Sequence, residues 1–140
     1  MAVASCALAI GNAKADLGDT RQSAAQRYTK VPHGAEGHSS QENYRDNYGY
    51  TILQWYNKHG IACAVFYGQF TPQGDLKVIP QEAVDRFLHL NHLPLLDSDF
   101  WIEDRPDNGP GSNWRSKDGR YTVGVGPYGL TIQDWLRTNQ

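Results

Sequence analysis

The sequence predicts an α+β fold in which two units, each a helix followed by a three-stranded antiparallel meander, form one domain. Three observations lead there. Four tetrapeptides ending in glycine separate apolar stretches, the stretches beside them alternate as strands do, and a helical pattern precedes each group of strands.

The tetrapeptides are Asn57-Lys58-His59-Gly60, Thr71-Pro72-Gln73-Gly74, Ser116-Lys117-Asp118-Gly119 and Gly126-Pro127-Tyr128-Gly129. Each fits a type I turn followed by a left-handed residue, the bulged connection of a hairpin. Pro72 and Pro127 stand at the second turn position, where a fixed φ fits.

Beside these corners, Tyr121, Val123 and Val125 alternate with Arg120, Thr122 and Gly124, and Leu130 and Ile132 with Thr131 and Gln133. Both segments read as half-buried antiparallel strands. Thr51 to Tyr56 and Ile61 to Tyr67 are apolar on both faces and read as central strands. Leu76, Val78 and Ile79 extend the pattern past the second corner. From Gln81 to Asn91, Val84, Phe87, Leu88 and Asn91 share one helical face, with Pro80 suited to the first turn and Pro94 barring extension. A shorter helix runs to Tyr28, capped by Asp19 or Thr20, with Ala24 and Tyr28 inward.

The halves share a pattern, W-x-x-K-x-G, at Trp55 to Gly60 and Trp114 to Gly119. With the matching helix order, this suggests two pseudo-repeats, residues 16–79 and 80–140, of one supersecondary unit. Two long segments, Lys30 to about Arg45 and Leu93 to Asn113, are rich in Gly, Pro, Ser, Asn and Asp. They read as loops, and loops of such length often carry function.

The chain has 140 residues, a formal net charge of -2 and a pI near 6.2. That balance argues against nucleic acid as a partner, since phosphates demand a concentrated positive field. No apolar run is long enough to span a bilayer, so no transmembrane segment is expected. Residues 1–15 pair a short apolar run with Ala13-Lys14-Ala15, as a secretory signal and its cleavage site do. A basic n-region is missing, so a truncated signal is expected; an alanine-rich helix is the alternative. The protein is therefore expected to be secreted or periplasmic. Val3-Ala4-Ser5-Cys6 also looks like a lipoprotein box, but too few apolar residues precede it. Cys63 lies in an apolar run and reads as a small core residue.

No zincin motif, P-loop, nucleophile elbow, paired CxxC or dinucleotide fingerprint occurs. Neither catalytic residues nor a cofactor are assigned. His33, Glu36 and His38 in one loop, with His89 and His92 three apart on the second helix, are weak metal candidates, because nothing brings loop and helix together. The acidic stretch from Asp97 to Asp107 lacks calcium-loop spacing and reads as a solvated loop pinned by an aromatic. The aromatics offer a different reading: four Trp, eight Tyr and four Phe exceed what a small core needs, and such residues are enriched at the centres of interfaces. The candidate contacts are Tyr48, Tyr50, Trp55, Tyr56, Trp101 and Trp114, of which Trp55 and Trp114 fit equally well as core anchors of their hairpins.

An exported chain with two helix-plus-meander units resembles the tandem architecture of the β-lactamase inhibitor protein. One such unit is similar to the small lipoprotein of the outer-membrane protein assembly machine. Asp16-Leu17-Gly18-Asp19-Thr20 with Arg27-Tyr28, and the helix from Pro80 leading to Trp114, Asp118 and Gly119, also resemble uncharacterised small exported bacterial proteins. Those continue Tyr-Gly where this chain has Thr29. The resemblance implies an α+β fold and non-catalytic binding, and transfers no target. The expected function is a secreted or periplasmic binding module for a protein or cell-envelope ligand. The alternative is a small envelope hydrolase or metal enzyme using His33, Glu36, His38, His89 or His92.

Overall fold

Alternating strands linked by tight corners join into a single sheet. The computed structural model describes residues 16–31, 40–104 and 111–140. Among them are eight strands: β1 (Thr29–Lys30), β2 (Gln41–Arg45), β3 (Tyr50–Tyr56), β4 (Ala62–Gln69), β5 (Trp101–Asp104), β6 (Ser112–Ser116), β7 (Tyr121–Gly126) and β8 (Gly129–Asp134). Three short helices accompany them: α1 (Arg21–Arg27), α2 (Gln81–Leu90) and α3 (Trp135–Thr138). The strands are antiparallel throughout, in the order β1-β2-β3-β4-β8-β7-β6-β5. Each half is a four-stranded meander. The meanders meet where β4 pairs with β8, from Ala64 opposite Gln133 to Tyr67 opposite Leu130.

This overturns the expected α+β fold of two helix-plus-three-stranded units. The described residues form mostly one eight-stranded antiparallel sheet with three short helices. The additional strands lie in the segments that read as long loops. β2 reads Gln-Glu-Asn-Tyr-Arg with only Tyr44 fully buried, and β5 reads Trp-Ile-Glu-Asp with only Trp101 buried. Segments so short and polar give no alternation signal; pairing with a neighbour defines them. Conversely, the expected strand from Leu76 to Ile79 forms only an isolated bridge between Leu76 and Phe70.

Three of the four corners carry a left-handed glycine, Gly60, Gly74 and Gly119, each donating its N–H back to the carbonyl three residues earlier at 2.9 Å. The fourth is different. Gly126 and Gly129 face each other as a pair, so Pro127 and Tyr128 alone make the turn, and neither glycine has a positive φ. A further corner of the first kind, Asp46 to Gly49, joins β2 to β3. There the Asp46 carboxylate accepts from the N–H groups of Tyr48 and Tyr50, both at 2.9 Å.

Register divides the sheet into two faces, because neighbours across a ladder point the same way. One transverse row runs Tyr44, Ile52, Tyr67, Leu130, Val125, and the next runs Gln54, Val65, Ile132, Val123, Trp114. α1 and α2 pack on these rows. α1 starts from a capping box: Thr20 Oγ1 accepts from the Ser23 N–H and Ser23 Oγ from the Thr20 N–H. It buries Ala24. α2 buries Ala83, Val84, Phe87 and Leu88, and Asn91 follows as its buried C-cap. The Phe87 ring stacks on Tyr67 at 3.9 Å between centroids and meets Tyr50 edge-on at 5.0 Å.

That placement makes Phe87 the main apolar link between α2 and the sheet. Phe87→Ala is expected to cost about 3–5 kcal/mol, the range for emptying a large aromatic site. Urea unfolding followed by tryptophan fluorescence measures it; a loss below about 1 kcal/mol would contradict the stacking described.

Candidate functional site

Three features stand out above the fold: a buried polar cluster, a cleft beside it, and an uncovered sheet face. The cluster begins with Asp16 and Asp19, both fully buried. Their segment is held against the start of β4, where Gly18 donates to the Ala62 carbonyl at 2.9 Å and Ala62 to that of Asp19 at 2.7 Å. Arg27, at the end of α1, reaches back to both carboxylates: Nη2 donates to Asp16 at 2.7 Å and to Asp19 at 2.5 Å, and Nη1 to Asp19 at 3.0 Å. Asp16 also accepts from the hydroxyls of Tyr28, at 2.6 Å, and Tyr67. Tyr67 accepts in turn from Asn91 Nδ2 at 2.8 Å, while Asn91 Oδ1 takes the Leu17 N–H at 2.9 Å. From Asp19 the chain of bonds runs through Gln54 Nε2 at 3.0 Å, then Tyr56 to Gln54 Oε1 at 2.6 Å. Tyr56's one proton is spent there, so Tyr44, 3.1 Å away, donates to it.

Burial raises Asp16 above the ordinary carboxylate range, against the pull of the Tyr28 and Tyr67 hydroxyls and of Arg27. For Arg27, burial works against the charge, but Asp19 and Asp16 outweigh it and hold the guanidinium firmly protonated. Burial also pushes Tyr28, Tyr56 and Tyr67 up, with Asp16 adding to it at Tyr28 and Tyr67 and Tyr44 at Tyr56. Each carboxylate is occupied by internal donors. The cluster's chemistry is that of a fastening between α1, α2 and the sheet.

A cleft of about 320 Å³ opens beside it, lined by Leu17, Gly18, Asn91, His92, Tyr121, Asp134 and Arg137. Asp134 ends β8, caps α3 and is buried. Arg120 grips it with two bonds of 3.1 and 3.0 Å, and Arg137 Nε adds a third at 3.0 Å. His92 has a φ of 57°, a left-handed conformation directly after the C-cap of α2, where glycine is usual.

On the far side neither α1 nor α2 lies over the sheet, and α3 reaches it where Gln133 Nε2 donates to Thr138 Oγ1 at 3.2 Å. One row there runs Asn43, Leu53, Phe66, Thr131, Gly124, Asn113, Asp104, and its neighbour Gln41, Trp55, Ala64, Gln133, Thr122, Arg115, Ile102. Leu53, Trp55 and Phe66 make an aromatic and aliphatic patch on adjacent strands. Phe66 lies over two glycines: a Cβ at Gly68 would come within 2.7 Å of its ring, and one at Gly129 within 2.4 Å. Gly124 leaves a hollow of about 440 Å³ between Thr131, Gln133, Thr122 and Asn113. Trp135 borders it, its Nε1 donating to Thr122 Oγ1 at 3.0 Å.

The residues named from sequence are dispersed. Trp55 alone of the six aromatics lies on the uncovered face. Tyr50, Tyr56 and Trp101 are buried, and Trp114, on the covered face opposite Val123, packs against the core. Trp55 and Trp114 thus point to opposite faces, despite their shared motif. Tyr48 is 71% exposed at the Asp46 corner, with the Arg86 guanidinium over its ring. His33, Glu36 and His38 lie outside the described residues, as does the 1–15 segment with Cys6. His89 and His92 are exposed at the end of α2, and only His92 lines the cleft. Among the described residues, no group of three His, Cys, Asp or Glu is placed to hold a metal, and no helix is long and apolar enough to cross a membrane. Cys63 is buried, as expected of a core residue, and its thiol points to the Trp55 carbonyl. Sequence reasoning missed Leu53, Phe66 and Gly124 on the open face, and Gly18, Tyr121, Asp134 and Arg137 at the cleft. The open-face residues had a signal: β3 and β4 are apolar on both sides, more than one covered face requires. No family model, curated protein or solved structure matches the chain.

The raised tyrosines set a pH dependence. Native Tyr28, Tyr44, Tyr56, Tyr67 and Tyr121 hold their protons above the unfolded value near 10. Their contribution is intact below pH 10 and is lost as pH rises above it, because the unfolded chain ionises first. Tyrosinate absorbance is expected to emerge for these residues in one cooperative step, together with loss of the sheet's circular dichroism. Full, reversible titration near pH 10 with the sheet intact would contradict their burial.

Proposed function

We propose that this protein is a non-catalytic binding module, acting outside the cytoplasm, that holds a protein or cell-envelope ligand on the uncovered face of its sheet. The observation that carries this reading is the division of the sheet itself. α1, α2 and the buried cluster lie on one face, while the other presents Leu53, Trp55 and Phe66 together beside the hollow over Gly124. Apolar and aromatic side chains grouped on an unpacked face are what a partner surface uses, with large area at low entropic cost. The polar groups around the hollow, Gln133, Thr122, Thr131 and Asn113, offer hydrogen bonds of both senses. The extracytoplasmic setting rests on the signal-like segment ending at Ala15.

Thr131→Arg and Trp55→Glu place charge in the middle of this face. Thr131 is exposed, so its variant is expected to fold with a stability change within about 0.5 kcal/mol. In crosslinking of the protein to its native cell envelope, both variants are expected to lose recovered partner by about tenfold, the scale of a disrupted interface contact. Glu82→Arg, exposed on α2 across the sheet, is expected to keep it. Equal recovery with all three variants would overturn the assignment of this face.

A further inference from the structure

The cleft at the end of β8 supports an inference independent of the open face. Its charged groups centre on Asp134. Asp134 faces two guanidiniums, and both its oxygens are already taken: Oδ1 accepts from Arg120 Nε and the Arg137 N–H, and Oδ2 from Arg120 Nη2 and Arg137 Nε. Arg120 makes the two-bonded grip on Asp134 and also has the Asp118 carboxylate near it, whereas the Arg137 guanidinium reaches Asp134 through Nε alone. Among the described residues, none accepts a hydrogen bond from the terminal nitrogens of Arg137. The guanidinium lies flat against Gly18, where a Cβ would stand 3.2 Å from Nη2. Absence of a side chain at Gly18 therefore gives Arg137 its place in the cleft wall.

A second observation concerns His92. An imidazole occupies the left-handed position after α2, where a Cβ strains the backbone and glycine is usual. The side chain so placed lines the same cleft as Arg137. Asn91 beside it is fixed from three sides, by Leu17, Tyr67 and the Phe87 carbonyl. The walls are thus preorganised, and half-buried Arg137 supplies planar paired donors that match a carboxylate or phosphate edge. The volume of about 320 Å³ suits a small molecule.

We propose that this cleft is a binding site for a small oxyanion-bearing molecule, whose carboxylate or phosphate group is held by the terminal nitrogens of Arg137 with His92 at its side. Inorganic phosphate and succinate, titrated separately into isotopically labelled wild-type protein, distinguish the two sources of oxyanion. At concentrations up to about 20 mM, the range for a single anchoring group, saturable amide shifts are expected at Gly18, His92, Tyr121 and Arg137 for at least one of them. Arg137→Gln is expected to weaken that binding about tenfold or more, as loss of a charge-assisted bond does. Arg120 keeps Asp134 paired in this variant, so no buried carboxylate is orphaned. His92→Gly, which suits the left-handed backbone, provides a second folded variant and is expected to weaken binding as well. Shifts that are absent, that map elsewhere, or that persist unchanged in both variants would overturn the site.

Discussion

Four residue pairs between β4 and β8 hold the architecture together. From Ala64–Gln133 to Tyr67–Leu130, they convert two meanders into one sheet. Everything of functional interest sits on or at the end of this joint. Phe66 of β4 and Thr131 of β8 face each other across it on the open side, and Val65 and Ile132 do so on the covered side. The cleft lies at one end, where Asp134 finishes β8 and the Gly18 segment bonds Ala62 at the start of β4. Separate meanders would have neither a continuous face nor a cleft.

The buried cluster explains how helices are fixed on so flat a support. Apolar packing alone tolerates sliding, because it is non-directional. Two buried carboxylates do not tolerate it, since each would cost several kcal/mol if its donors moved away. Asp16 and Asp19 draw their donors from α1 through Arg27, from β4 through Tyr67 and from β3 through Gln54, with α2 attached through Asn91. α1 and α2 are thereby held in one position over the sheet. The cleft inherits this rigidity, since Asn91 and Leu17 belong to both.

Much of the fold was legible where local chemistry decides the structure. The glycine corners at Gly60, Gly74 and Gly119, and the stripe of α2, required no distant partner to be recognised. β2 and β5 were illegible for the opposite reason. Their five and four residues are mostly polar, and only pairing with β3 and β6 makes strands of them. Those two strands, with β1 added and the Leu76–Ile79 strand lost, separate the eight-stranded sheet from the two three-stranded units expected. Of the sites, Trp55 was named, but its face was not, because both sides of β3 and β4 are apolar and the register decides. Tyr67 is far in sequence from Asp16 and Arg27, as Gly18 is from Asp134 and Arg137. Nothing in their spacing announces that folding brings them together.

Hydrogen exchange across the β4–β8 joint tests the continuity of the sheet most directly. One cooperative body requires the ladder amides of β4 and β8 to share the slowest exchange class, opening only with global unfolding. It also requires β3 and β7, on either side, to follow them closely. Exchange in which the β5 to β8 half opens well before the β1 to β4 half, with β8 amides as fast as an edge strand, would contradict it.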